Sequence, residues 1–327
     1  MVQTTAFVLG ATGYIGGSIL VDLTKKYPDF VYSALVRSPK DNNAIEALGV
    51  KIIQGSHTDL ELIEKSASES DIVFNFADCD DLPLTEAILK GLKTRGARKD
   101  GTKKPILIHT SGTGVVTHKP GDPNDRLYDD LKVEDIKSIG PNQIHRPVDL
   151  KIFEAGDEGS IDTYIIAPSV IYGKGHGPVR NITIVFKLFI PLFLQNKQAL
   201  QLGSNTIVWD SVHIDDLVDL YHLVLKQALV PTPIKSAYER FYWGSSASFQ
   251  WDALTKEIAI RLHKKGLLPT AEVKEVSLED YPNLAVLAMN SRTVSNRALK
   301  TLGWKPHGRS LTDSLDDEID LTLSQLQ

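Results

Sequence analysis

Short apolar runs, each cut by a glycine or a turn residue, alternate with amphipathic stretches through the first 110 residues. Residues 5–9 are an apolar run that stops at Gly10, the pattern of a strand buried on both faces. Residues 18–24 follow with apolar positions at helical spacing, and Pro28 ends that helix. The same pattern predicts strands over 31–36, 50–53, 72–76 and 106–109, with helices over 43–48, 60–66 and 84–92 between them. Such alternation builds βαβ units, hence an α/β fold with a Rossmann-type doubly wound parallel sheet covered on both faces. Residues 117–144 are polar and hold Pro120, Pro123 and Pro141, which predicts mostly loop. A helix over 146–155 and a strand over 164–167 resume the pattern, which breaks down from Tyr172 onward. We therefore expect residues 1–168, with about 209–245, to form a Rossmann domain of about seven strands. About 169–208 and 246–327 then form a smaller, partly helical C-terminal substrate lobe.

The junction of the first strand and helix reads Gly10-Ala-Thr12-Gly13-Tyr14-Ile15-Gly16. Glycines are common in turns, so the position between a strand and a helix is what gives the spacing meaning. Gly10 permits a tight turn, Gly13 lets backbone approach a pyrophosphate, and Gly16 lets helix and sheet pack closely. The helix start presents unpaired N–H groups and its positive dipole end to the phosphates. A bound dinucleotide is expected there. After the second strand stands Arg37-Ser38-Pro39-Lys40, with no acid before Asp41. An acid would take the ribose 2′-hydroxyl of NAD(H), whereas a guanidinium pairs with the 2′-phosphate of NADP(H). NADP(H) is expected over NAD(H).

Composition narrows the remaining classes. A formal charge of −5 without basic clusters argues against a nucleic-acid partner. The one cysteine, Cys79, cannot form an internal disulfide, and no signal peptide is visible, so a reducing, cytoplasmic setting is expected. The most apolar window, 182–194, is broken by Lys187 and Pro191 and is too short for a bilayer, so no membrane partner is expected. Nine histidines show no metal-ligand spacing, and no metal is expected.

Five segments in order carry a family likeness: the glycine loop, Asp71-Ile-Val-Phe-Asn-Phe76-Ala77, Ile108-His-Thr110-Ser111-Gly112, Ala167-Pro168-Ser-Val170-Ile-Tyr-Gly173 and Val212-His-Ile-Asp-Asp-Leu217. Together they resemble the extended and atypical short-chain dehydrogenase/reductases, which include the epimerase/dehydratase-like and NmrA-like branches. The resemblance implies hydride transfer to or from a nicotinamide, assisted by a serine and a Tyr-x-x-x-Lys pair. It also implies cofactor contacts from Phe76, Ala77, Thr110, Pro168 and Val170, with Ser56 or His57 near the adenine. Homodimerisation through helices near 84–94 and 146–155 is a further suggestion of the family.

The chain departs from that pattern at the catalytic pair. Tyr128-Asp-Asp-Leu-Lys132 fits the spacing but lies within the polar stretch. Pro147-Val-Asp-Leu-Lys151 stands where the helix should be, with Lys151 at the lysine position and Pro147, which has no proton to give, at the tyrosine position. Three readings follow. Lys151 holds the ribose while Tyr128 or His145 supplies the proton; Tyr128 and Lys132 form the pair on a rearranged helix; or catalysis is lost and only cofactor binding remains. Ser111 is the expected serine, with Gly112 and Thr113 as neighbouring registers. Asp215-Asp216 opens a helix and is expected to satisfy its N–H groups. Gly173-Lys-Gly-His-Gly-Pro178 is expected to be a mobile loop at the substrate mouth.

The leading expectation is an NADPH-dependent carbonyl reductase or dehydrogenase of a small organic molecule, with Ser111, Tyr128 and Lys151 as its catalytic residues. A sugar-nucleotide epimerase or dehydratase and a non-catalytic NADP(H)-binding regulator are the alternatives.

Overall fold

A computed structural model describes residues 3–96, 104–203 and 207–326. Its centre is a seven-stranded sheet of β1 (Thr5–Leu9), β2 (Val31–Val36), β3 (Lys51–Gln54), β4 (Ile72–Asn75), β5 (Ile106–Thr110), β6 (Asp162–Pro168) and β7 (Phe241–Gly244). The spatial order is β7-β6-β5-β4-β1-β2-β3, and every pairing is parallel. Helices Tyr14–Lys26 and Ile214–Ala228 bury their apolar sides on one face of the sheet. Helices Leu60–Ser68, Leu82–Arg95 and Arg146–Asp157 cover the other. Coverage from both sides is why these strands read as continuous apolar runs. The chain winds one way from β1 to β3 and the other way from β4 to β7, so a crevice opens between the carboxyl ends of β1 and β4.

A second core lies around Phe186, Phe193, Trp209 and Trp251. Helices Ile184–Asn196, Trp251–Lys264 and Leu311–Ser324 enclose it with a three-stranded sheet of Val170–Tyr172, Val208–His213 and Ala247–Gln250. The expected return of residues 209–245 to the main sheet is therefore only partial. Val208–His213 stays in the small sheet, where its central Asp210 accepts from Thr293 N at 2.6 Å and Ser248 Oγ at 2.5 Å. Phe241–Gly244, buried throughout, is the strand that joins β6.

Two expectations about loops change. The polar stretch contains a short helix, Val133–Lys137, and a strand, Tyr128–Asp129, paired with Thr293–Val294. The buried Asp130 beside it accepts from Trp243 N at 2.9 Å and Arg297 N at 2.7 Å, tying the stretch to β7 and to the segment around Arg297. The glycine-rich turn after Tyr172 is docked rather than mobile. Tyr14 Oη donates to the Gly173 carbonyl at 2.6 Å, and His176 N donates to Ser18 Oγ at 3.0 Å. The buried carboxylate of Glu318 accepts from Gly173 N. A Cβ on Gly175 would meet the Tyr14 ring at 2.8 Å, and one on Gly177 would meet Gly17 at 3.0 Å. The glycines let this segment lie flat on the first helix; they do not loosen it. Asp216, likewise, accepts from His307 N and Gly308 N of a distant segment instead of capping its own helix. Among the described residues no helix is long and apolar enough to cross a membrane.

Candidate active site

The crevice is floored by the first glycine loop. Gly10 has φ +82°, and a Cβ there would lie 2.6 Å from the Phe76 carbonyl oxygen. A Cβ on Gly16 would lie 2.4 Å from the Gly10 carbonyl oxygen. Only glycine fits either position. Helix Tyr14–Lys26 then starts at Gly13 with no side-chain cap and no acid in its first turn. Its first N–H groups thus point into the crevice without a side-chain acceptor, which suits the oxygens of a pyrophosphate. The residues present fit a dinucleotide, with Gly10, Thr12, Gly13, Tyr14, Ile15 and Gly16 forming the cradle. The Tyr14 hydroxyl is committed to the Gly173 carbonyl, which leaves its backbone to line the loop.

The other expected cofactor contacts ring this loop. Arg37 is exposed just past β2, and Gln54 Nε2 fixes that turn by donating to the Val36 and Arg37 carbonyls at 2.8 and 3.0 Å. Ser56 and His57 are half-buried after β3, where Ser56 N donates to Asp59 Oδ2 at 2.6 Å. Phe76 is buried against Phe74 and Tyr221, and Ala77 N donates to Asn75 Oδ1 at 3.1 Å. Thr110 Oγ1 and Tyr221 Oη share a hydrogen bond of 2.6 Å. Pro168 ends β6 and Val170 begins the small sheet, both buried.

Ser111 follows β5 and is buried, and its Oγ donates to Asp149 Oδ2 at 3.1 Å. Asp149 is wholly buried, and its Oδ1 has no hydrogen-bond partner among the described residues. Burial outweighs the Ser111 bond and the nearby Arg146 guanidinium, and pushes this carboxyl up to about 7. Arg146 itself is buried over the Phe153 and Tyr238 rings, with Nη2 donating to the Ile136 carbonyl at 2.9 Å.

One helical turn before Asp149 lies His145, whose carbonyl accepts from Asp149 N at 3.1 Å. Asp80 Oδ1 lies 2.9 Å from both His145 N and His145 Nδ1, and Cys79 Sγ lies 3.2 Å from the same Nδ1. Sequence spacing showed no metal-ligand pattern, yet folding brings donor atoms of Cys79, Asp80 and His145 within 4.8 Å of one another. Burial, reinforced by Asp80 and Asp149, pushes the Cys79 thiol up to about 12. His145 Nε2 faces the end of β5: a Cβ on Gly112 or Gly114 would meet it at 3.1 Å. Below it, the fully buried His109 accepts from Asn75 Nδ2 at 3.1 Å and is held neutral, burial lowering it to about 3.

The expected Tyr-Lys pair does not assemble. Tyr128 is buried within its own loop, with Oη donating to the Asn124 carbonyl at 3.2 Å and 3.4 Å from His118 Nε2. Lys132 lies after a strand rather than one turn along a helix, so the spacing has no shared face. Lys151 is exposed on the outer side of its helix, where Nζ donates to Glu154 at 2.8 Å beside Glu86, Lys90 and Lys93. The residue that faces Ser111 is Asp149, two positions earlier, and two residues turn a helix by about 200°. Asp149 therefore takes the inward face of this helix, with His145 at the N-cap before it. The helix was readable in the sequence; its register was not.

Known proteins bear on this arrangement. The NmrA-like family model matches residues 3–94, the cofactor-loop half of the sheet. Across the whole length, the chain superposes on the UDP-glucose 4-epimerase of Thermotoga maritima with TM-score 0.71 and 15% identity, covering 99% of this chain and 100% of that one. The two chains share one Rossmann-type fold. A second structure with this fold, dTDP-glucose 4,6-dehydratase from Bacillus anthracis in complex with NAD, gives TM-score 0.69 at 14% identity over 98% and 97% of the two chains. In sequence, the chain is 29% identical to oxidase ucsJ of Acremonium sp over 339 aligned positions, 95% of each protein.

Proposed function

We propose that the protein is an NADP(H)-dependent oxidoreductase that reduces a carbonyl of a small organic substrate. The observation that carries this reading is the meeting of two features at one crevice. A glycine cradle with uncapped helix amides adjoins Phe76 and Ala77, and a serine at the end of β5 rests on a buried carboxyl. The name of the Acremonium relative and the bound NAD of the structural neighbours support the same class. Arg37, exposed past β2 with no acid beside it before Asp41, favours a 2′-phosphate and hence NADP(H).

A nicotinamide dinucleotide held by the glycine loop would supply the hydride chemistry here. The chain supplies the rest. Ser111, whose hydroxyl donates to Asp149 in the free protein, would turn that hydrogen to the substrate oxygen as negative charge develops there, with the protonated Asp149 carboxyl donating to Ser111 Oγ in return. The test is NADPH oxidation by pure protein with a panel of aldehydes and ketones. Turnover is expected, with kcat falling about 100-fold in Ser111→Ala. No turnover with tight NADPH binding would favour a regulator and defeat the reading.

A further inference from the structure

We propose that His145, held by Asp80 at the start of the helix that carries Asp149, is the proton donor of this site. The proposal rests on the carbonyl-reductase reading above. His145 is one of two non-glycine residues with positive φ among those described, at +68°. A bulky residue persists in that conformation when its surroundings hold it there. Here the hold is visible: one carboxylate oxygen of Asp80 takes both the backbone N–H and ring Nδ1. A carboxylate only accepts, so Nδ1 carries the hydrogen and Nε2 is the ring's exchangeable atom. That atom has no protein partner among the described residues and lies over Gly112 and Gly114, next to Ser111. Glycine at both positions lets the imidazole lie close against the strand end.

Rival tyrosines are spoken for, and the buried Asp149 carboxyl is bonded to Ser111. Tyr128 is bonded within its loop, Tyr221 is bonded to Thr110, and Tyr14 to Gly173. The Cys79 thiol, pushed up to about 12, is a poor acid.

The step balances simply. Hydride from the reduced nicotinamide forms the new C–H bond, and the C=O π pair moves onto oxygen beside Ser111. That oxygen takes the Nε2 proton of the imidazolium, leaving a neutral ring whose Nδ1–H still points at Asp80. The ring regains its proton at Nε2 from solvent once product has left, the His145 side chain being 15% exposed. Asp80 is thus a positioning residue.

The decisive experiment uses His145→Gly, which tolerates the positive φ and leaves a hole the size of the ring, together with His145→Asn. NADPH affinity, kcat and KM with para-nitrobenzaldehyde or the best carbonyl of the panel are measured with and without added imidazole. We expect kcat to fall about 100-fold or more with NADPH affinity within twofold of wild type, and imidazole to restore at least a tenth of the lost rate in the glycine variant. Asp80→Asn is expected to lower kcat about tenfold, leaving NADPH affinity unchanged. Unchanged kcat in both histidine variants overturns the proposal. So does loss of rate without imidazole rescue, or loss of NADPH binding in both variants. Wild-type protein that turns over no carbonyl removes the reductase reading itself, a result distinct from these.

Discussion

Asp149→Asn exposes the energetics of the site most sharply. The wild-type carboxyl is wholly buried and pushed up to about 7, against an ordinary aspartate value of about 3.9. In the folded protein it therefore keeps a proton that the unfolded chain releases. The folded state binds more protons between those two values, so stability is lost as pH rises through them. The gap corresponds to about 4 kcal/mol, absent below pH ~4 and fully felt above pH ~7. Asparagine carries no charge to bury, so its stability lacks this component. Its amide leaves an unmatched N–H₂ where Oδ1 now has no partner, a constant cost of about 1–3 kcal/mol. The variant should be the less stable protein at pH ~4 and the more stable one at pH ~8, by roughly 1–3 kcal/mol each way. Asp130 and Glu318 are also pushed up to about 7, but they are common to both proteins and cancel in the difference. Thermal unfolding of both proteins across this range is the assay. Parallel stability curves would refute a protonated Asp149 under Ser111.

Three other outcomes follow from the geometry. Gly10→Ala forces a Cβ to 2.6 Å from the Phe76 carbonyl at φ +82°, so calorimetry should show about 2–4 kcal/mol of lost stability along with lost cofactor binding. Gly13→Ala, at φ −79° with only a 3.1 Å contact, should unfold within about 1 kcal/mol of wild type yet bind NADPH more than about tenfold more weakly. Lys151→Ala should leave cofactor affinity and kcat within about twofold, because its ammonium is paired with Glu154 on an exposed helix face; a larger loss would place this lysine on the ribose after all.

The sheet was legible because parallel strands buried on both faces cannot hide: residues 5–9, 31–36 and 106–109 read as strands from apolar runs alone. The glycine loop was legible for the same kind of reason, since no other side chain fits at Gly10 or Gly16. The catalytic helix was not. Its motif slides along the sequence, and only three-dimensional phase shows that Asp149 faces inward and Lys151 outward. Asp80 and Cys79 meet His145 across about 65 residues of chain, a contact no local pattern encodes. The docked turn at Gly173 was misread because glycine signals both freedom and close approach, and the partner surface of Tyr14 and Gly17 decides between them.

Titration calorimetry of the pure protein with NADPH and with NADH, repeated on Arg37→Ala, tests most directly whether the first glycine loop grips a dinucleotide. NADPH should bind at one site per chain and more tightly than NADH, and the arginine variant should lose about 10- to 100-fold for NADPH alone. Absence of heat with both dinucleotides would contradict the cradle at Gly10, Gly13 and Gly16 and everything built upon it.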